Sequence, residues 1–212
     1  MSLPSSLTEL VDFDQRSLFI SAAAIAFNPT FWNIVARREY RTRFLTRIFG
    51  SNQAACYALA VTIFSLGLVR DFLYERALRD QPSHPALEGP LVNYAAYALL
   101  AVGNIFVVSS TWQLGITGTF LGDYCGILMD NIVTGFPFNI TNAPMYYGST
   151  MSFLGTALLY GKPAGILITL HVLVVYLVAI QFENPFTAGI YAKRDKERAK
   201  VAGKPFESKK EL

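Results

Sequence analysis

Residues 163–182 read PAGILITLHVLVVYLVAIQF, twenty residues without a charge, bounded by Lys162 and Glu183. A helix needs roughly 20 mainly apolar residues to cross the hydrocarbon of a bilayer, so this stretch puts the chain in a membrane. Four further charge-free windows precede it, at 17–36, 48–69, 89–122 and 131–161. The 212 residues are 52% hydrophobic and only 16% charged, whereas a soluble domain carries about 25% charged residues. An aromatic content of 14% argues against disorder. Composition and length together predict one all-α integral membrane domain over 1–212.

Two cysteines, Cys56 and Cys125, are too few for a disulfide-rich scaffold or a four-cysteine zinc site, and they read as small apolar fillers. HExxH, GxSxG and Walker patterns are absent, so no metal site and no hydrolase nucleophile are expected. A net charge of +3 makes no case for a nucleic-acid partner.

Spanning helices are predicted near 51–70, 93–115, 145–161 and 164–182. The window 17–36 is interrupted by Asn28-Pro29. Proline removes a backbone donor, and lipid does not satisfy the groups it frees, so a re-entrant or interfacial helix is expected there. Gly161-Lys162-Pro163 forces the last two spans antiparallel. Arg37, Arg38, Arg41, Arg43 and Arg47 precede the first span, and eight basic residues follow Glu183. Basic segments mark the cytosolic side, so the arginine-rich segment and a tail over 183–212 are expected there, with loop 70–92 lumenal. The chain ends Lys209-Lys210-Glu211-Leu212. Such lysines look like an endoplasmic-reticulum retrieval address, and equally like a basic tail near anionic headgroups.

Three stretches carry candidate chemistry. Gly115-Ile-Thr-Gly-Thr-Phe-Leu-Gly-Asp-Tyr-Cys-Gly126 holds four glycines in twelve residues. Glycines inside a span serve helix packing. A polar Gly122-Asp123-Tyr124 cluster at its exit reads better as a ligand loop, with Gly118 in its approach. The uncharged run from Val133 to Ser149 brings Asn139, Asn142, Pro144, Tyr146, Tyr147 and Gly148 to the start of the third span. Its tyrosines are interfacial belt residues or, through their ring faces, holders of a sulfonium or methylated ammonium. Glu183-Asn184-Pro185 closes the last span. Pro185 is expected to end the helix, leaving the carboxylate against the helix dipole and in need of compensation, such as a bound amine. His171 lies mid-span and reads as a packing residue.

The strings FNPTFWNIVARREYRTRFLTRIFGS, GTFLGDYCGIL, FPFNITNAPMYYGST and FENPFTAGIYAKR resemble the phosphatidylethanolamine N-methyltransferase family, in particular its short members that act on mono- and dimethylated lipid. The likeness runs from about residue 10 to residue 200. It implies an endoplasmic-reticulum enzyme that uses S-adenosyl-L-methionine to make phosphatidylcholine. The family's Gly-x-Gly element aligns with Ala101-Val102-Gly103 and matches at Gly103 alone. Its Glu-Glu pair aligns with Glu183-Asn184 and matches at Glu183 alone. Pro144-Met-Tyr-Tyr-Gly148 is similar to a Pro-x-Tyr-x-Gly signature of related membrane methyltransferases, including those acting on prenylcysteine.

The residue reading and the resemblance together lead us to expect cofactor contacts at Gly103, Gly118, Gly122, Tyr124, Asn139, Asn142, Pro144, Tyr147, Gly148, Glu183 and Asn184, with Asp123, Glu183 and Tyr146 at the chemistry. The amine must lose a proton before it attacks, and Asp123 or Glu183 is the expected acceptor. A membrane methyltransferase with another acceptor and a non-catalytic tetraspan protein or transporter remain the alternatives. No internal repeat of the kind expected for a transporter is evident.

Overall fold

The computed structural model describes residues 7–130 and 133–202. The terminal lysine motif lies outside them. The described chain is helical, without a strand: α1 (Leu7–Leu10), α2 (Arg16–Thr42), α3 (Phe44–Phe49), α4 (Asn52–Arg79), α5 (Pro90–Thr119), α6 (Pro144–Leu159) and α7 (Pro163–Val201). Four of these, α2, α4, α5 and α7, are long and apolar enough to cross a membrane. Their outward faces carry Phe64, Phe72, Ile105, Val108, Leu170 and Val178, all exposed. Water would penalise such a surface, and hydrocarbon does not.

The expected count of four long helices holds, but α2 replaces α6 among them. Residues 17–36 do not dip and return. They lie within one continuous helix that carries Pro29 in its interior and is about 40 Å long at 1.5 Å per residue. Pro29 leaves the Ile25 carbonyl without its helical donor, and side chains bond other carbonyls of the same stretch. Thr30 Oγ1 donates to the Ala26 carbonyl and Asn33 Nδ2 to the Pro29 carbonyl. Asn28 Nδ2 reaches across to Leu66 O at 3.1 Å, which ties α2 lengthwise to α4. His171 Nε2 lies 3.0 Å from the Ala22 carbonyl and links α7 to α2, a packing role.

The second departure lies in α7. Pro185 does not stop it, and the helix runs on to Val201. A proline leaves the carbonyl four residues earlier without its helical donor and bends the helix. Next to that carbonyl, the Phe182 oxygen receives Arg37 Nη2 at 2.6 Å from α2. The Arg37 guanidinium also stacks 4.6 Å from the Phe186 ring. The segment after Glu183 is therefore a helical extension. It returns against the glycine loop, where Tyr191 accepts from the Met129 N–H and Arg194 donates to the Met129 carbonyl.

At the far end of the bundle, Gln81 exchanges two hydrogen bonds of 2.8 Å with the Asp12 backbone. Lys162 Nζ donates to the Gln81 carbonyl at 2.6 Å. These contacts clamp the N-terminal segment, α4 and the α6–α7 turn together. Leu18, Ile25, Tyr74, Leu78, Phe153, Ile168, Val172 and Tyr176 form the core between α2, α4, α6 and α7. Toward the arginine end, Glu39 is fully buried and accepts from Leu45 N, Thr46 N and Thr46 Oγ1. It thereby satisfies the first turn of α3.

Candidate active site

A cavity of about 580 Å³ lies between α4, α5, α6 and α7, with Trp32 of α2 at its edge. That volume is in the ordinary range for a small-molecule site. The positions of Trp32, Asn142, Pro144, Tyr146, Glu183 and Asn184 on its wall follow from the chain's course. α6 starts at Pro144, a residue suited to the first helical turn because its missing N–H has no intrahelical partner to lose. The antiparallel α6–α7 pair then sets Tyr146 beside Glu183.

Glu183 is the hub. Its Oε1 accepts from Trp32 Nε1 at 2.8 Å and from Asn33 Nδ2 at 2.7 Å. Its Oε2 accepts from the Tyr146 hydroxyl at 2.6 Å. Since Glu183 is internal to α7, its compensation comes from these three donors, where the sequence had suggested a bound amine at a helix end. A carboxylate offers about four acceptor positions, so one is left for a ligand N–H. The Tyr146 ring meets the Tyr176 ring edge-on at 4.9 Å, which fixes the angle of both.

The glycine loop supports this hub from outside. Gly115, at φ 64, breaks the helical path of α5, and its missing Cβ permits that conformation. Beyond the bend, Gly118 lines the cavity, while Gly122, Asp123 and Tyr124 stand behind the wall. Tyr124 is buried and stacks on Phe186 at 5.0 Å. Burial pushes its hydroxyl up to about 12. Asp123 sits beside Thr187 of α7. Burial pushes its carboxyl up to about 6, the Thr187 hydroxyl opposing and the Glu183 charge adding to the rise. A carboxyl near 6 is poised to exchange protons at neutral pH.

Other predicted residues lie elsewhere. Gly103 and Gly148 face one another across the α5–α6 seam. A Cβ on Gly103 would stand 2.5 Å from the Gly148 carbonyl, and one on Gly148 would stand 2.6 Å from the Gly103 carbonyl. Both glycines admit close backbone approach, and neither lines the cavity. Asn139 is exposed on the connecting loop and Tyr147 is half-buried on α6, also off the wall. Cys56 and Cys125 are buried together with Ala55, as fillers.

Sequence reasoning missed Trp32, Asn33, Arg70 and Tyr176. The first two lay inside the segment taken for a surface dip. Arg70 was counted as a loop charge. Tyr176 had no distinguishing neighbour in a uniformly apolar run.

Long apolar helices thus surround a cavity with aromatic walls and one well-held carboxylate, the arrangement of a membrane protein with a small-molecule site. Residues 92–194 match the phospholipid methyltransferase family. The chain is 78% identical, over 98% of its length and 96% of the relative's, to a phosphatidyl-N-methylethanolamine N-methyltransferase of Neurospora crassa. It is 52% identical to the Saccharomyces cerevisiae protein of that name, over 91% of the chain and 93% of the relative. It is 47% identical to a human phosphatidylethanolamine N-methyltransferase, over 87% of the chain and 92% of the relative. No solved structure matches it. The chain belongs to the phospholipid methyltransferase family. It is a membrane enzyme that methylates phospholipids, and the reading as a non-catalytic tetraspan protein falls.

Proposed function

We propose that the chain N-methylates phosphatidylethanolamine and its mono- and dimethyl derivatives, toward phosphatidylcholine, with S-adenosyl-L-methionine as donor. The observation that carries this is Glu183, fixed by three donors from two helices at the aromatic wall of the cavity. A rigid acceptor with one position to spare, ringed by π faces, suits a cationic ligand. The donor fits this chemistry: it brings an ammonium and a sulfonium, and it supplies an electrophilic methyl carbon. Glu183, Asn184, Asn142 and Gly118 are the residues that would hold it, with Asp123, Tyr124 and Gly122 supporting from behind.

The chain's own task is positioning and proton management. Rigid walls hold the lipid nitrogen in line, which removes most of the entropic cost of meeting. Trp32, Tyr146 and Tyr176 face a headgroup that keeps its charge while losing hydrogen-bond donors as methyls accumulate. The attacking amine must be neutral, and Asp123, from behind the wall, takes its proton through water. The arginines from Arg37 to Arg47 and the basic residues of α7 after Glu183 lie toward the Glu183 end of the cavity, which favours a cytosolic opening and C-terminus. The likeness to phosphatidylethanolamine N-methyltransferases favours residence in the endoplasmic reticulum.

Purified protein incubated with labelled donor and each of the three amine lipids in turn tests the reading. Label is expected in the lipids, and label entering a prenylcysteine analogue alone would defeat it. In calorimetry, Glu183→Ala is expected to weaken donor binding more than His171→Ala, because His171 bonds backbone away from the cavity. The reverse order would unseat the site.

A further inference from the structure

Arg70 takes no part in the Glu183 hub, yet it lines the same cavity from α4. Its side chain is only 13% exposed, in the interior of a helix long enough to cross hydrocarbon. An arginine at such a position is costly and is a functional candidate on that ground. Its geometry is fixed on every side. Nε and Nη2 donate to Asp71 Oδ1 at 2.9 and 2.8 Å, and Nη1 donates to the Tyr176 hydroxyl at 2.6 Å. The Phe153 ring lies 5.1 Å from the guanidinium carbon and supports its plane. A guanidinium has five N–H groups, so these three bonds leave two for a ligand. The Ser149 hydroxyl stands 3.3 Å from that of Tyr176, on the same wall.

We propose that the Arg70 guanidinium, with the Tyr176 and Ser149 hydroxyls, is the oxyanion subsite of the cavity and holds the phosphodiester of the lipid acceptor. This rests on the reading of the cavity as the methyl-transfer site. Two oxyanions enter such a reaction, the lipid phosphodiester and the donor's carboxylate, and depth separates them. Tyr176 precedes Glu183 by seven residues of α7, which sets it about 10 Å further from the arginine end. In an ethanolamine phospholipid the order from the tails outward is phosphate, two-carbon spacer, amine. The order along the cavity wall is the same: guanidinium, tyrosine pair, carboxylate. A phosphate on Arg70 therefore presents its amine toward Glu183. Phe64 and Leu68 of α4 and Val107 and Leu114 of α5 form the apolar part of the wall, and Phe64 and Leu68 are exposed to the hydrocarbon.

The test compares two acceptors in detergent micelles. One is phosphatidyl-N-methylethanolamine, and the other is an uncharged diacylglycerol carrying the same N-methylaminoethyl group through an ether. The wild-type enzyme is expected to prefer the phosphodiester by about tenfold or more in kcat/KM, the loss expected when a charged hydrogen-bonded partner is removed. Arg70→Gln is expected to abolish that preference through a raised lipid KM, with the donor KM unchanged. Arg70→Lys should retain part of it, and Tyr176→Phe should lower it less. The lysine and phenylalanine variants keep the test available if the glutamine variant does not fold. An undiminished preference in Arg70→Gln, or in both Arg70→Lys and Tyr176→Phe if the glutamine variant does not fold, overturns the subsite. A rise confined to the donor KM reassigns the guanidinium to the donor's carboxylate and equally overturns it. If the wild-type protein methylates neither acceptor, the reading of the cavity itself fails.

Discussion

Glu183 and Asp123 are carboxylates at the same end of the bundle, and the protein treats them in opposite ways. Glu183 is on a helix, at the cavity wall, with three donors aimed at it from α2 and α6. Asp123 is on the glycine loop behind the wall, where burial dominates and pushes its carboxyl up to about 6. Two like groups given different surroundings can divide the labour of one reaction. In the proposed reaction the first is the fixed acceptor for a cation and the second, with its carboxyl near 6, the group that exchanges a proton. The difference comes from what each element can bring to the spot: helices deliver rigid donors, and a loop buried under α7 delivers desolvation.

The largest expected effect breaks the first half of this comparison. Glu183→Gln keeps the shape and removes the charge that Trp32, Asn33 and Tyr146 surround. Truncating one partner of a buried charged set typically costs 2–5 kcal/mol, so kcat/KM should fall by about a hundredfold. Steady-state rates with labelled donor measure it, and retention of near-normal activity would deny Glu183 its role. A smaller effect sharpens the same half. Tyr146→Phe removes one donor from Oε2 and leaves the ring contact with Tyr176, so kcat/KM should fall about tenfold, the value of one charged hydrogen bond. If the loss equals that of Glu183→Gln, the hydroxyl itself acts on substrate.

Much of the fold was legible in the sequence because charge-free windows of twenty residues have few solutions. Both misreadings were of prolines. Pro29 and Pro185 obey local rules that predict breaks, yet in each case the helix continues, with a side chain bonding the carbonyl next to the freed one. The site was legible where a polar group sat at the edge of an apolar run, as with Glu183 and Tyr146. It was illegible where function needs a partner some 150 positions away, as with Trp32 and Asn33. Gly103 and Gly148 show a third case. A glycine required for helix approach and a glycine required for ligand approach look the same in sequence, and only the 2.5 Å clearance to a facing carbonyl separates them.

The smallest expected effect concerns Asp123, and its sign can be worked out. Because Asp123 stands behind the cavity wall, Asp123→Asn should reduce the rate at neutral pH only a few-fold. The sharper signature is the pH profile. With its carboxyl at about 6, proton acceptance by Asp123 switches on as pH rises through that value, so the wild-type rate carries a rising limb there that the asparagine variant lacks. Stability runs the other way. The native carboxyl keeps its proton to about 6, and the unfolded one releases it near 3.8, so the native state binds more protons between those values. Stability due to this group therefore falls as pH rises through that window and is level above it. Asn does not titrate, so the Tm of Asp123→Asn relative to wild type should climb across the same window and then stay constant. Thermal melts in detergent at a series of pH values measure it. A gap that moves in favour of the wild type with rising pH would mean that Asp123 is held by a cation, and the contrast with Glu183 would vanish.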